Sequence, residues 1–254
     1  MREYGIGEFF RIFREKLGRF IPANLIMFFI SLPQTVWLYA TINTYLSALG
    51  MSVDSMPGLG LIALPAAVVP RSVFGVLLIA SLLLRGPAEM VLTYIYRKAV
   101  ASEYLPLGEL PLVLRRSLKQ GLFFGALDVI VVLVVLHNVM GFDGVDGMIL
   151  AVLQYASVAL LCAYLAIRPY WYLFAVTLDE SVLQILRRGL VCAALRSNRT
   201  ILAALAALLV WAVTLFTVPL LTIVLLPTLS YSLSGYAVVY ILYPVLYRDV
   251  LGKH

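Results

Sequence analysis

Between Arg199 and Arg248 the chain carries no Asp, Glu, Lys, Arg or His. A soluble helix pair of that length would show water a charged face, and this stretch has none to show. A helix needs about 20 mostly apolar residues to cross the hydrocarbon layer of a bilayer. Residues 200–247 are therefore long enough for two antiparallel spans, 200–218 and 228–247. The turn falls between Pro219 and Pro227, or Pro227 lies inside the second span. Four earlier runs are also long and mostly apolar, at 20–48, 72–97, 120–138 and 148–176.

Composition agrees with the runs. Hydrophobic residues make up 63% of the chain and charged residues 13%, against about 25% charged in soluble domains. The runs are continuous and do not alternate apolar with polar, which excludes a transmembrane β-barrel. The expected fold is an all-α, polytopic membrane bundle of six spans, forming a single integral membrane domain over residues 1–254.

The formal net charge of +6 points to the membrane and not to nucleic acid. Lys and Arg collect on the cytoplasmic side of membrane proteins. With six spans, the cationic residues of the N-terminal arm, of 97–119, of 187–199 and of the C-terminal tail all fall on one side. Arg71 alone falls on the other. Both termini are therefore expected in the cytoplasm, with the lipid bilayer as the obligatory partner. The charged N-terminal 19 residues do not read as a cleavable signal. Phe9, Ile12, Phe13 and Leu17 share one helical face there, so 1–19 reads as an amphipathic interfacial helix or as the start of a continuous bent helix through span 1.

Within the spans, Pro33 is expected to kink the first. Asn24, Gln34 and Asn43 are expected to face other helices, because amides in lipid need partners. Ile62–Val69 is too short to span and reads as an interfacial or re-entrant piece. Leu110, Val113, Leu114 and Leu118 repeat the spacing of Phe9, Ile12, Phe13 and Leu17, as do Val182, Ile185, Leu186 and Leu190. This suggests three units, each a surface helix followed by a membrane hairpin. Equally, any interfacial helix shows this spacing.

Four ionisable residues lie inside the spans: Arg85 and Glu89 in the second, Asp128 in the third, Arg168 in the fourth. A charge at mid-membrane costs roughly 2.5–3.5 kcal/mol on insertion scales. At about 1.5 Å per residue, Glu89, Asp128 and Arg168 fall at similar depth and Arg85 one turn deeper. Two cations and two anions can form one neutral buried network, serving either as bundle glue or as a solute or proton path. Between Arg85 and Glu89, Gly86 and Pro87 predict a helix break, since Pro87 lacks an N–H and frees a carbonyl near Leu83. Broken helices line substrate sites in many transporters. Gly121 and Gly125 form a GxxxG suited to close packing.

Enzymatic signatures do not assemble. There is no Ser/His/Asp arrangement, HExxH or Walker sequence, so no catalytic residue, metal or cofactor is expected. Cys162 and Cys192 have neither metal nor disulfide spacing, and His137 reads as an interface residue.

Several stretches, in this order, resemble the YesL family of bacterial membrane proteins, also known as domain of unknown function family 624. They are EFFRIFREKLGRFIPANLIMFFISLP, RGPAEMVLTYIYRKA, LKQGLFFG, YWYLFAVTLDESVLQILRRGL and YILYPVLYRDV. Leu173 stands where the family pattern has proline, and Glu89 where a small or polar residue is more usual. The resemblance implies a non-enzymatic protein of the bacterial plasma membrane, accessory to a carbohydrate ABC uptake system, with permease or ATPase subunits as partners. The basic segments 109–119 and 181–199 would be its cytoplasmic contacts. The alternative from the residues themselves is an independent small-solute transporter or channel built on Arg85, Glu89, Asp128 and Arg168.

Overall fold

The computed structural model describes residues 5–48, 71–104, 107–140, 147–216 and 225–247. Seven α-helices are present among them: α1 (Ile6–Ala48), α2 (Arg71–Val100), α3 (Leu110–Met140), α4 (Gly147–Ala175), α5 (Val182–Leu195), α6 (Ser197–Phe216) and α7 (Tyr231–Val245). A 3₁₀ turn, Leu107–Glu109, precedes α3, and a wide π-helical turn, Leu226–Ser230, leads into α7. The expected piece at 62–69, the Asp143 and Asp146 loop and the turn at Pro219 lie outside the described residues, as do the side chains of Asn43 and His137.

The apolar pattern is turned outward. Val76, Ile79 and Leu84 on α2 are exposed, as are Ile130 and Leu133 on α3, Val152 and Leu160 on α4, and Leu205, Leu208 and Leu209 on α6. In the most apolar window of α4 only 11% of residues are buried. The inward positions instead hold Asn24, Asp128, Arg168, Ser232 and Ser234 beside the aromatic core. Such a surface would aggregate in water and suits lipid. Four helices, α2, α3, α4 and α6, are long and apolar enough to cross a membrane, among the described residues.

Neighbouring helices run antiparallel. Gln34 meets Ser81 while Phe20 meets Tyr96, which fixes α1 against α2. Asn138 reaches Ser157 while Asp128 reaches Arg168, which fixes α3 against α4. Trp211 meets Tyr231 while Arg199 reaches the Ile241 carbonyl, which fixes α6 against α7. The same logic sets α7 against α1: Thr35 is bonded to Tyr231 and Phe9 packs on Tyr236.

Residues 6–19 are not a separate helix. They are the first turns of α1, a 43-residue helix that continues through Pro22 and Pro33, the second of the two expected arrangements. At 1.5 Å per residue it is about 65 Å long, roughly twice the hydrocarbon thickness. Its first apolar face covers protein: Ile12 and Phe13 are buried, and Phe9, Phe13 and Phe20 pack on Tyr236. The second lead-in likewise continues into its span, since α3 starts at Leu110. Only the third, α5, ends before the next long helix, at Arg196. The three lead-ins therefore do not form equivalent units.

The expected break at Gly86 and Pro87 does not occur. Helix α2 is continuous from Arg71 to Val100. The pair serves close approach instead. A Cβ on Gly86 would stand 2.0 Å from the Gly121 carbonyl oxygen, and one on Gly121 would stand 2.7 Å from Pro87 Cα. The Leu83 carbonyl, deprived of its helical donor by Pro87, faces Gly125, where a Cβ would come within 2.5 Å of it. The glycine motif of α3 and the Gly86-Pro87 step of α2 are thus two sides of one backbone seam.

The irregular backbone lies elsewhere, at the π-helical turn ahead of α7. Pro227 sits at its start. Asn24 of α1 holds this turn: its Nδ2 donates to the Leu226 carbonyl at 3.0 Å, and its Oδ1 accepts from the Ser232 N–H at 2.6 Å. The Ser232 hydroxyl donates to the Phe20 carbonyl at 2.9 Å. Asn24 is fully buried, so lipid never has to satisfy these groups.

Candidate functional site: a buried ion network

Side chains on a helix lean toward its N-terminus. Helices α2 and α3 are antiparallel, with Gly86 level with Gly121. Glu89 therefore leans toward the level of Arg85, and Asp128 leans the opposite way toward that of Phe124. The two carboxylates, well separated along the sequence register, converge on one layer of the bundle. Arg168 of α4 reaches both.

The contacts form a continuous chain. Arg168 donates to Asp128 through two parallel bonds, Nε to Oδ1 at 2.8 Å and Nη2 to Oδ2 at 2.6 Å. Its Nη1 lies 2.5 Å from Glu89 Oε2. The other Glu89 oxygen accepts from Arg85 Nε at 2.8 Å. Arg85 Nη1 then donates to the Gln34 side-chain oxygen on α1 at 2.7 Å, and Gln34 Nε2 donates to the Ser81 hydroxyl at 3.3 Å. At the far end, the Tyr164 hydroxyl donates to Asp128 Oδ1. Four helices, α1 to α4, are tied by this one chain.

Burial is graded along it. Asp128 is 5% exposed and Arg168 is 9% exposed, whereas the Arg85 side chain is 29% exposed. The bidentate Arg168–Asp128 pair is the fork geometry in which arginine binds carboxylate most strongly. Tyr172, one turn beyond Arg168, adds its ring face 4.7 Å from the guanidinium carbon and accepts a hydrogen bond from Nη2 at 3.1 Å.

All four charged residues expected from the sequence are brought together. Gly86 and Pro87 lie in the α2–α3 seam and break no helix. Gln34, expected only to face another helix, is a member of the chain. Tyr164 and Tyr172 were hidden in sequence by the excess of tyrosine near span ends. Their spacing of four residues on either side of Arg168 was the one available signal.

The Glu89 side of the network opens on a cavity of about 140 Å³ between α1, α2, α4, α6 and α7. Arg187 and Arg188 are exposed on α5, whose other face packs on Trp171. A Cβ on Gly189 would meet that ring at 2.3 Å, and Trp171 Nε1 donates to the Leu186 carbonyl at 3.2 Å. Among the described residues, no group of three His, Cys, Asp or Glu stands close enough to hold a metal ion.

Fold and site together define a helical bundle with lipid-type outer faces and a charged, self-paired interior. No family model, no curated protein and no solved structure matches this chain.

Proposed function

We propose that the chain is a six-span protein of the bacterial plasma membrane, with both termini cytoplasmic, that acts as a non-enzymatic accessory of a carbohydrate ABC uptake system. The observation that carries the accessory reading over an ion pathway is the closure of the network. Both carboxylates inside the bundle are paired with arginine, and Glu89 is shared by two. A path for protons or ions needs a site that exchanges partners with the passenger, whereas this chain is balanced within itself. Removing one member leaves an uncompensated charge, the costly state for a buried pair.

The six-span count draws support from α1 and α7. The apolar part of α1 begins near Phe20, and the wide turn plus α7 covers 226–245, about 30 Å of helix at 1.5 Å per residue. The antiparallel pairings then put the start of α1 and the end of α7 on one side. The carbohydrate and ABC part rests on the YesL resemblance alone. The basic outer face of α5, with Arg187 and Arg188, offers the contact surface for a permease or ATPase subunit.

The cavity beside Glu89 favours a second reading, an independent small-solute transporter. A pull-down in mild detergent separates the two. Co-purification of permease or ATPase subunits supports the accessory role. Recovery of the chain alone, with solute flux when it is reconstituted in liposomes, replaces it with the transporter.

A further inference from the structure

Where the end of α2 meets the start of α3, some cations are matched by carboxylates. Lys98 Nζ lies 3.4 Å from Glu109 Oε2, and Arg97 Nη2 lies 3.8 Å from Glu103 Oε2. On α5, Arg188 meets Glu180 at 2.8 Å. The cations on the first turns of α3 differ. Arg115, Arg116 and Lys119 are exposed, and none pairs with a carboxylate among the described residues. Arg115 and Lys119 stand four apart, a spacing at which like charges destabilise a helix.

Their place on the helix says what could offset them. Residues three and four apart share a face. Such steps from Lys119 lead back to Arg115 and Arg116. They lead forward to Leu122 and Phe123, then through Ala126 to Ile130, Leu133 and Val134. Those five large apolar side chains are exposed. The bundle uses the opposite face: Ser117, Phe124 and Asp128 are buried, and Gly121 closes on Pro87. The cations therefore end the outward stripe of α3 and not its protein-facing one. From Leu122 to Val134 the stripe runs about 18 Å at 1.5 Å per residue, comparable with one hydrocarbon leaflet of about 15 Å. An acyl chain laid along it carries its headgroup to the level of Lys119.

We propose that this stripe is a binding site for an anionic phospholipid. The headgroup sits on Arg115, Arg116 and Lys119, and an acyl chain lies on Leu122, Phe123 and Ile130. Charge complementarity selects an anionic headgroup, because a zwitterion brings no net charge to the three cations. Arginine and lysine here offer donors only, and phosphate oxygens accept such charge-assisted bonds. The apolar run selects a lipid over free phosphate or an acidic soluble protein, neither of which would use it. The site rests on the bilayer reading of the chain, and it leaves the outer face of α5 free for the proposed subunit.

The test uses the full chain purified in detergent and mixed with equal amounts of phosphatidylglycerol and phosphatidylcholine. Native mass spectrometry counts the lipids retained. Phosphatidylglycerol should be retained in preference, less so at raised salt. Arg115→Gln, Arg116→Gln and Lys119→Gln should each lower the preference about fivefold, and the triple variant should abolish it. All three side chains are exposed, so the unfolding temperature without lipid should not fall. Arg14→Gln combined with Lys16→Gln removes two cations from α1 and should leave the preference unchanged. An equal loss there would mean attraction spread over the whole basic side, and overturns the site. Equal retention of the two lipids by the wild-type chain also overturns it, as does a stable dimer that keeps lipid off this face. Reconstitution into phosphatidylcholine nanodiscs separates the two levels of failure. A chain that inserts there yet shows no preference lacks the site alone, whereas one that does not insert overturns the bilayer reading with it.

Discussion

Gly86 and Gly121 meet backbone to backbone, so closely that a methyl group on Gly86 would stand 2.0 Å from the Gly121 carbonyl oxygen. The obstacle is main chain and cannot rotate away. Gly86→Leu and Gly121→Leu should each force α2 and α3 apart, at a cost at or above the 1–3 kcal/mol typical of overpacking. Gly18 has nothing within 4 Å, so Gly18→Ala should be neutral or slightly stabilising through lower backbone entropy. Thermal unfolding in detergent, followed by loss of the monodisperse peak, reads all three. Equal tolerance at 86 and 18 would show that the seam is not close-packed.

The ion network predicts unequal costs. Arg168→Gln strands Asp128 and leaves Glu89 with Arg85 alone, and should be the most damaging, by about 3–5 kcal/mol. Asp128→Asn leaves Arg168 still paired with Glu89 and should cost less. Arg85 is the most exposed member and Glu89 keeps Arg168 without it, so Arg85→Gln should be the mildest. A double-mutant cycle on Asp128 and Arg168 should show coupling of about 0.5–3 kcal/mol. Additive losses would argue that the pair is not formed in the membrane.

Asn24 carries a separate expectation. It donates to the Leu226 carbonyl and accepts from the Ser232 N–H. Asn24→Ala should lower stability by about 1–3 kcal/mol for each group left unsatisfied. Asn24→Asp keeps the acceptor but turns a carboxylate on the Leu226 carbonyl, and should be worse than alanine. Amide hydrogen exchange at Ser232 should accelerate in Asn24→Ala; unchanged protection would mean that the wide turn holds itself.

Topology is open to cysteine labelling. The native Cys162 and Cys192 are first replaced by serine and alanine respectively. A single cysteine at Asp143→Cys should then react with a membrane-impermeant maleimide from outside intact cells. One at Gln184→Cys, on the open face of α5, should react only after the membrane is opened. The reverse pattern would invert the protein and remove the cytoplasmic partner surface.

Much of the architecture is legible without coordinates because hydrocarbon leaves so few options. The charge-free run from Thr200 to Tyr247 points to helical spans, and α6 and α7 are found within it. The identities of Arg85, Glu89, Asp128 and Arg168 likewise announce a network, since charges at that depth need one another. What went unread is local geometry under tertiary control. Proline at 87 has the same intrinsic effect in a broken helix and in a packed one. Whether the freed Leu83 carbonyl opens a site or meets a neighbour depends on α3, and Gly125 is 42 positions away in sequence. The lead-in of α1 was left between two arrangements for a related reason: the amphipathic spacing of Phe9, Ile12, Phe13 and Leu17 does not say whether its apolar face meets lipid or the tyrosines of α7.

The sequence by itself determined a membrane-type helical chain with four charges that had to be accounted for inside it, because burial of charge and of backbone polar groups is costly wherever they lie. Only the tertiary structure decided that Gly86 and Pro87 make a seam, that the irregular turn is at Leu226–Ser230 under Asn24, and that Glu89 is shared between two arginines. Each of these depends on which helix stands opposite and in what register. A one-dimensional pattern carries the period of a helix, and it does not carry the identity of the neighbour.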